Sequence, residues 1–365
     1  MAGMQRAIAF TLCLLCFTGL QADAQARRGR GGRTPQKDKV EPSRATIITD
    51  NGSEIRDALI KKETFAEIVY ATDSRGRNDK KLRGEEVKEI RFDDAPPEFM
   101  SGLSQLRAGR YDRAAKSFAE ARKAKLAWTS AHCTLYMGEA LRMAEDYSAA
   151  IGEYEKLLKN DADHFLAPAA IYGLGMAQAG DKKLSAALDN FKKLDRGFGD
   201  YWRVKGKIGE GNAYLAQDKF TDSLRAFGIA TDQAGRGPLR SEAIVGQGRA
   251  YVLSKQYDKA NQLFDDLLRG STLDPEVAGA AWAGRGDIRY AEAEQENMDK
   301  DALKKALIAY QTCATQFAGV PNSYAKSLYM SAQIYRKLKM PKLAEYMEKE
   351  LLDSRPGSPW AKKLK

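Results

Sequence analysis

The chain has 365 residues, 43% of them apolar and 30% charged, with a formal net charge of +10. These are the proportions of an ordinary soluble protein, and the longest apolar run, fourteen residues from Ala7 to Leu20, is too short to span a bilayer comfortably. Residues 27–39 hold six Lys or Arg against Asp38, a net of +5, which leaves 10 − 5 = +5 for the rest, a modest excess that points to no specific nucleic acid.

Residues 1–26 have the layout of a secretory signal. Arg6 precedes the apolar run, and Ala22-Asp23-Ala24 and Ala24-Gln25-Ala26 are small-x-small cleavage sites. Cys13 and Cys16 each follow a Leu where a lipoprotein signal needs a small residue, so no lipid anchor is expected. Export to a periplasm or cell envelope follows from this reading, with the segment either cleaved after Ala24 or Ala26 or kept as an N-terminal anchor. The remaining Cys133 and Cys313 lie too far apart to suggest a disulfide framework and are expected to be small buried hydrophobes.

Residues 27–43 are rich in Arg, Gly, Lys and Pro and predict a mobile basic arm. It is either a solvated spacer or, through Arg27, Arg28, Arg30 and Arg33, a contact to an anionic surface.

Residues 44–92 predict a small β domain. Arg44–Thr49 is β-branched, Asp50-Asn51-Gly52 is a hairpin turn, and further strands are expected over Ile55–Ile60, Thr64–Ala71, Lys81–Arg83 and Val87–Phe92. The early Asn-Gly hairpin and late Val-x-x-Ile-x-Phe strand resemble SH3-like or Sm-like barrels. Lys61, Lys62, Arg75, Arg77, Lys80, Lys81 and Arg83 could form a basic face on it or merely keep its edges soluble. Asp93-Asp94-Ala95-Pro96-Pro97 ends the segment, because two prolines stop a strand and suit an incoming helix.

From residue 96 to 365 the chain repeats. A small residue recurs at Gly102, Gly138, Gly175, Gly211, Gly248, Gly286 and Ser331, in steps of 36, 37, 36, 37, 38 and 45. In the first five units a second helix is expected to start nine positions later, at Tyr111, Tyr147, Leu184, Phe220 and Tyr257. Ala114, Ala150, Ala187, Ser223 and Ala260 follow three residues on, and Phe118, Tyr154, Phe191, Phe227 and Phe264 four beyond those. These residues share one helical face. The small residue lets two helices approach, and the aromatic fills the space between pairs. The sixth unit carries an insertion, Ala291–Asp301 (AEAEQENMDKD), to be absorbed by a longer first helix or a surface loop; the seventh is degenerate, as a solvent-facing cap would be.

The Gly248–Tyr251–Ala260–Phe264 spacing resembles the tetratricopeptide repeat. The period of 36–37 and the ending Leu352–Trp360 (LDSRPGSPW) resemble the members found in bacterial cell envelopes. The resemblance implies a mainly α fold, an α-solenoid of about seven helix-turn-helix units preceded by the small β-barrel-like domain. It also implies that first-helix residues beside each packing Gly face a concave groove. Those residues here are Glu139, Met176, Asn212, Arg249 and Asp287, and three farther on Arg142, Ala179, Leu215, Val252 and Tyr290. The family's Lys/Asn/Arg clamp for a C-terminal carboxylate is not supported, because Tyr136, Gly173, Gly209 and Gly246 occupy the position where it needs Asn.

Little else carries chemistry. Gly173-Leu-Gly175 and its three counterparts lack the third Gly of a dinucleotide fingerprint and recur at the repeat period, which assigns them to packing. His132, Cys133 and His164 have neither metal-ligand spacing nor a recognisable partner in sequence, so no metal, cofactor or catalytic site is expected. The sequence thus predicts a non-enzymatic exported scaffold that binds other proteins. The alternative is a binder of anionic polymers or membrane surfaces acting through the arm and the β domain.

Overall fold

The computed structural model describes residues 42–235, 237–270 and 273–364. The signal segment and all but the last two residues of the basic arm lie outside the described residues.

Strands β1 (Arg44–Thr49), β2 (Glu54–Glu63), β3 (Ile68–Ala71), β4 (Asp79–Leu82) and β5 (Val87–Phe92) form one antiparallel sheet in the order β4-β3-β2-β1-β5. The first turn works as its residues require. Gly52 takes a φ of +85°, its N–H donates to Thr49 O at 3.0 Å, and Asn51 Oδ1 accepts from Thr49 Oγ1 and the Ser53 N–H. Register shifts between Ala45 and Ile47 and between Ile60 and Lys62 let the ten-residue β2 bend and pair on both sides. The strand order, with a 3-10 turn at Gly84–Glu86 before β5, is consistent with the expected barrel-like sheet. Expected pairing of residues 64–67 gives way to a single bridge from Thr64 to His164.

Seven helix pairs follow. Their first helices are α1 (Pro97–Arg107), α3 (Thr129–Met143), α5 (Ala167–Gly180), α7 (Gly199–Leu215), α9 (Pro238–Leu253), α11 (Pro275–Gln295) and α13 (Pro321–Lys337). The second helices are α2 (Tyr111–Ala121), α4 (Tyr147–Asn160), α6 (Leu184–Lys193), α8 (Phe220–Gln233), α10 (Tyr257–Leu268), α12 (Lys300–Gln316) and α14 (Pro341–Ser354). A short α15 (Pro359–Lys362) ends the array. The charged insertion of the sixth unit lengthens α11 to 21 residues. No described helix is long and apolar enough to cross a membrane.

The aromatic of each second helix sits in a glycine socket. A Cβ on Gly102 would stand 2.6 Å from the Phe118 ring, on Gly138 2.9 Å from Tyr154, and on Gly175 2.6 Å from Phe191. The same holds for Gly211 on Phe227 (2.8 Å), Gly248 on Phe264 (2.4 Å) and Gly286 on Tyr310 (2.6 Å). The preceding glycine of each Gly-x-Gly pair serves the previous unit: Gly173 meets Tyr154, Gly209 meets Phe191, Gly246 meets Phe227 and Gly284 meets Phe264. Each of these rings is therefore gripped from both sides by backbone, which any side chain would push away. The first unit differs because Tyr136 stands where a glycine would, and its ring stacks on Phe118 at 5.5 Å. Ala114, Ala150, Ala187 and Ala260 are fully buried beside the sockets, and where Ser223 replaces Ala its hydroxyl donates to Gly211 O at 2.9 Å.

The turn within each pair places one residue in the left-handed region, except the longer sixth turn, which places two, Asn297 and Met298. Gly109 does so in the first unit, and Glu145, Lys182, Asp218 and Lys255 in the next four. Glycine suits that conformation, and the four side chains occupy it at a cost of about 1–2 kcal/mol each.

Candidate functional site: the inner groove

The α3, α5, α7 and α9 helices stand side by side, because each ring socket couples one pair to the next. One face of these helices, with Tyr147 at the start of α4, lines a groove of about 340 Å³, formed by Arg142, Tyr147, Met176, Ala179, Gly180, Asn212, Leu215, Ala216, Arg249 and Leu253. Six of the residues proposed from sequence, Arg142, Met176, Ala179, Asn212, Leu215 and Arg249, thus come together.

Three others go elsewhere. Val252 packs against the core around Phe264, and its neighbour Leu253, 52% exposed, faces the groove instead. Asp287 accepts from the Tyr310 hydroxyl at 2.8 Å and from Lys326, and Tyr290 packs around Tyr310 with Leu303 and Ile334. The positions five after each packing Gly, Gly180, Ala216 and Leu253, line the groove and were missed; the small side chains of the first two gave no signal.

The groove is cationic. Among its lining residues are two arginines and no carboxylate. Arg142 lies 3.9 Å from Glu139. Burial opposes its charge, but Tyr154, Glu139 and Tyr172 more than compensate and hold its pKa above the ordinary arginine value. Arg249 makes one long contact, 3.4 Å to Asn212 Oδ1, and crowding by the groove walls lowers its pKa, with Asp287 pulling the other way. Both remain guanidinium ions, with donors left for an incoming acceptor. Met176, Leu215 and Leu253 provide apolar surface between them. Deeper in the array Lys205 is satisfied, paired with Glu242 at 3.0 Å and lying 4.9 Å from the Tyr172 ring centre.

A second constellation was invisible in sequence. The chain's two histidines, His132 on α3 and His164 between α4 and α5, converge on Glu63 at the end of β2. His132 Nε2 is 2.9 Å and His164 Nε2 3.9 Å from Glu63 Oε2. Burial alone would raise the Glu63 pKa, but His132 and His164 outweigh it and hold the carboxyl below its usual value. Burial lowers the His164 pKa, partly offset by Glu63. Such a trio invites a metal, but the Leu166 N–H donates to His164 Nδ1 at 3.0 Å. A neutral His164 must then carry its proton on Nε2, the nitrogen a metal would need, whereas ligating histidines donate from the second nitrogen. The cluster is a clasp between domains. Phe65 N–H to Asp163 O at 2.9 Å and Phe165 N–H to Glu63 O at 3.0 Å reinforce it, and Phe92 stacks on Trp128 at 4.3 Å nearby.

Four of the seven cations of the expected basic face on the β domain are paired, while Arg75, Arg77 and Lys80 make no ion pair among the described residues. Lys61 pairs with Asp79, Lys62 and Lys81 share Glu67, and Arg83 contacts Glu85 and Glu86.

Two segments, residues 99–165 and 208–278, match the family model of the tetratricopeptide repeat. The chain carries tetratricopeptide repeats. The first match spans α1–α4, the second runs from α7 into α11, and the intervening α5–α6 pair keeps the same sockets. Over the matched segments the array is a tetratricopeptide scaffold. Similar solved structures include a tetratricopeptide repeat protein from Parabacteroides merdae, 13% identical over 70% of this chain and 91% of the other, with a TM-score of 0.45. PilF of Pseudomonas aeruginosa is 18% identical over 64% of this chain and 96% of its own, with a TM-score of 0.37. The quorum sensor NprR from B. thuringiensis is 16% identical over 73% and 79%, with a TM-score of 0.42. No curated protein matches the sequence.

Proposed function

We propose that the protein is a non-enzymatic, exported tetratricopeptide scaffold of the periplasm or cell envelope that binds an extended protein segment in the inner groove. The observation that carries this reading is the groove lining itself, two arginines with free donors flanking Met176, Leu215 and Leu253. That surface suits a segment in which an apolar side chain lies beside a carboxylate, the chemistry by which grooves take peptides. The lining residues include no His, Cys, Ser or acidic residue, and so no nucleophile paired with a base, which supports binding over catalysis. Export rests on the segment before Ala26.

The test compares partners recovered from envelope extracts by the wild-type chain and by Asn212→Glu/Arg249→Glu. Loss of a partner that an outer-face variant, Ile308→Glu, retains is the expected result. Equal recovery by both would remove the groove assignment. The anionic-surface alternative uses the arm together with the β domain, where Arg75, Arg77 and Lys80 make no ion pair among the described residues. Deleting residues 27–41 and measuring binding to anionic vesicles against salt tests it separately.

A further inference from the structure

The last segment of the chain ends on the first repeats. After α14, Arg355 Nη1 donates to Ala108 O at 3.3 Å and Nη2 to Ala318 O at 2.9 Å. Gly357 runs so close to the α1–α2 turn that a Cβ on it would stand 2.7 Å from Gly109 O. Lys362, in α15, donates to Ala144 O. Ala108 and Ala144 are the C-terminal caps of α1 and α3. Two cations are thus placed on the carbonyl-rich, negative ends of two helices, where they are favoured.

The two sides of this contact differ in kind. Toward the seventh unit the segment is held by apolar burial: Ala361 is fully buried, and Trp360 and Leu364 pack with Tyr324, Leu328 and Leu351. No residue of the first two units belongs to that cluster. Toward those units the hydrogen bonds come from Arg355 and Lys362, with the Gly357 backbone lying against Gly109 and Tyr111. Apolar burial survives salt, whereas cation–carbonyl contacts near the surface weaken with it. One side is an anchor and the other a catch.

We propose that residues 355–362 close the superhelix on its own first two repeats, walling the inner groove, and that a bulky partner is admitted when Arg355 and Lys362 release α1 and α3. The proposal rests on the groove being the binding surface, and it gives that surface a gate.

Spin labels at Arg110→Cys and Asp353→Cys, both exposed sites beside the contact, report closure by their separation. Cys13 and Cys16 are replaced by Ser; Cys133 and Cys313 are fully buried, and burial pushes the Cys133 thiol up to about 12, so neither competes for label. Access is read separately as the rate at which Met176→Cys reacts with a polymer-tethered maleimide, divided by its rate with a small one. In Arg355→Ala/Lys362→Ala the label separation should lengthen and broaden, and the rate ratio should rise roughly tenfold per charge-assisted bond removed. High salt should move the wild-type chain the same way. An unchanged separation and ratio in both would overturn the proposal. If the double variant unfolds, seen as reaction of Cys133 and Cys313, the salt response of the wild-type chain decides alone. Neither readout involves a partner, so partner loss in Arg249→Glu with an intact catch, or the reverse, shows which of the two readings has failed.

Discussion

Two rows of residues run along the first helices one position apart, and they follow opposite rules. The packing row, Gly138, Gly175, Gly211 and Gly248, is invariant because each glycine meets an aromatic ring at distances no Cβ allows. The next row, Glu139, Met176, Asn212 and Arg249, is different in every unit. The difference teaches where selection can act in such an array. The sockets fix how neighbouring pairs stack, and the groove side chains are free to vary because nothing in the stack depends on them.

Breaking a socket should therefore cost most. Phe264 is fully buried between Gly248 and Gly284. Phe264→Ala should lose about 3–5 kcal/mol in urea unfolding, while Ile308→Ala, at a site 65% exposed, should stay within about 0.5 kcal/mol. Comparable losses at the two sites would dissolve the distinction.

The adjacent pair Gly248 and Arg249 sharpens it. Gly248→Ala gains about 1 kcal/mol of helix propensity but forces a Cβ to 2.4 Å from a ring that cannot retreat. Overpacking of this kind costs about 1–3 kcal/mol and often more where backbone blocks relaxation, so a net loss of about 1–2 kcal/mol is expected. Arg249→Ala should change stability by less than about 0.5 kcal/mol and should weaken partner binding.

The clasp at Glu63 gives a pH test of the seam between the β domain and the repeats. The His164 pKa is lowered in the folded state, so the unfolded chain binds more protons and stability falls as pH drops below about 6.5. The lowered Glu63 pKa adds a second loss at more acid pH, as the carboxyl protonates. Hydrogen exchange at the Phe65 and Phe165 amides, corrected for intrinsic rate, should lose protection between pH 7.5 and 5.5 (roughly one unit either side of the ordinary histidine value). His164→Gln should flatten that response. Protection that rises on acidification would contradict the assigned direction.

The smallest effect is expected at the turns. Lys182 holds a φ of +61° where the first unit uses Gly109. Lys182→Gly should relieve about 1–2 kcal/mol of left-handed strain and return about 0.5–1 kcal/mol in unfolded-chain entropy, a net gain of about 0.5 kcal/mol.

The sockets were legible in the sequence because repetition displays the same physical requirement again and again. A single Gly-x-Gly is ambiguous, and four at nearly one interval, three of them with an aromatic sixteen residues after the second Gly, are not. The groove was legible only in part. The fourth residue after Gly248, Val252, turns into the core and Leu253 faces out, a rotation of one helical step that periodicity cannot resolve. Glu63, His132 and His164 carried no signal, since separations of 69 and 32 residues (132 − 63 and 164 − 132) close only when the β domain docks. The contact of Arg355 with Ala108, 247 residues away, depends on the accumulated twist of seven pairs and lies beyond any local pattern.

The most direct test places a photo-crosslinking residue at Ala216, in the groove, and separately at Ile308, on the outer face. A partner segment should be captured from Ala216, lost on adding Arg249→Glu, and absent from Ile308. Capture of the same partner from Ile308, unaffected by Arg249→Glu, would contradict binding in the groove.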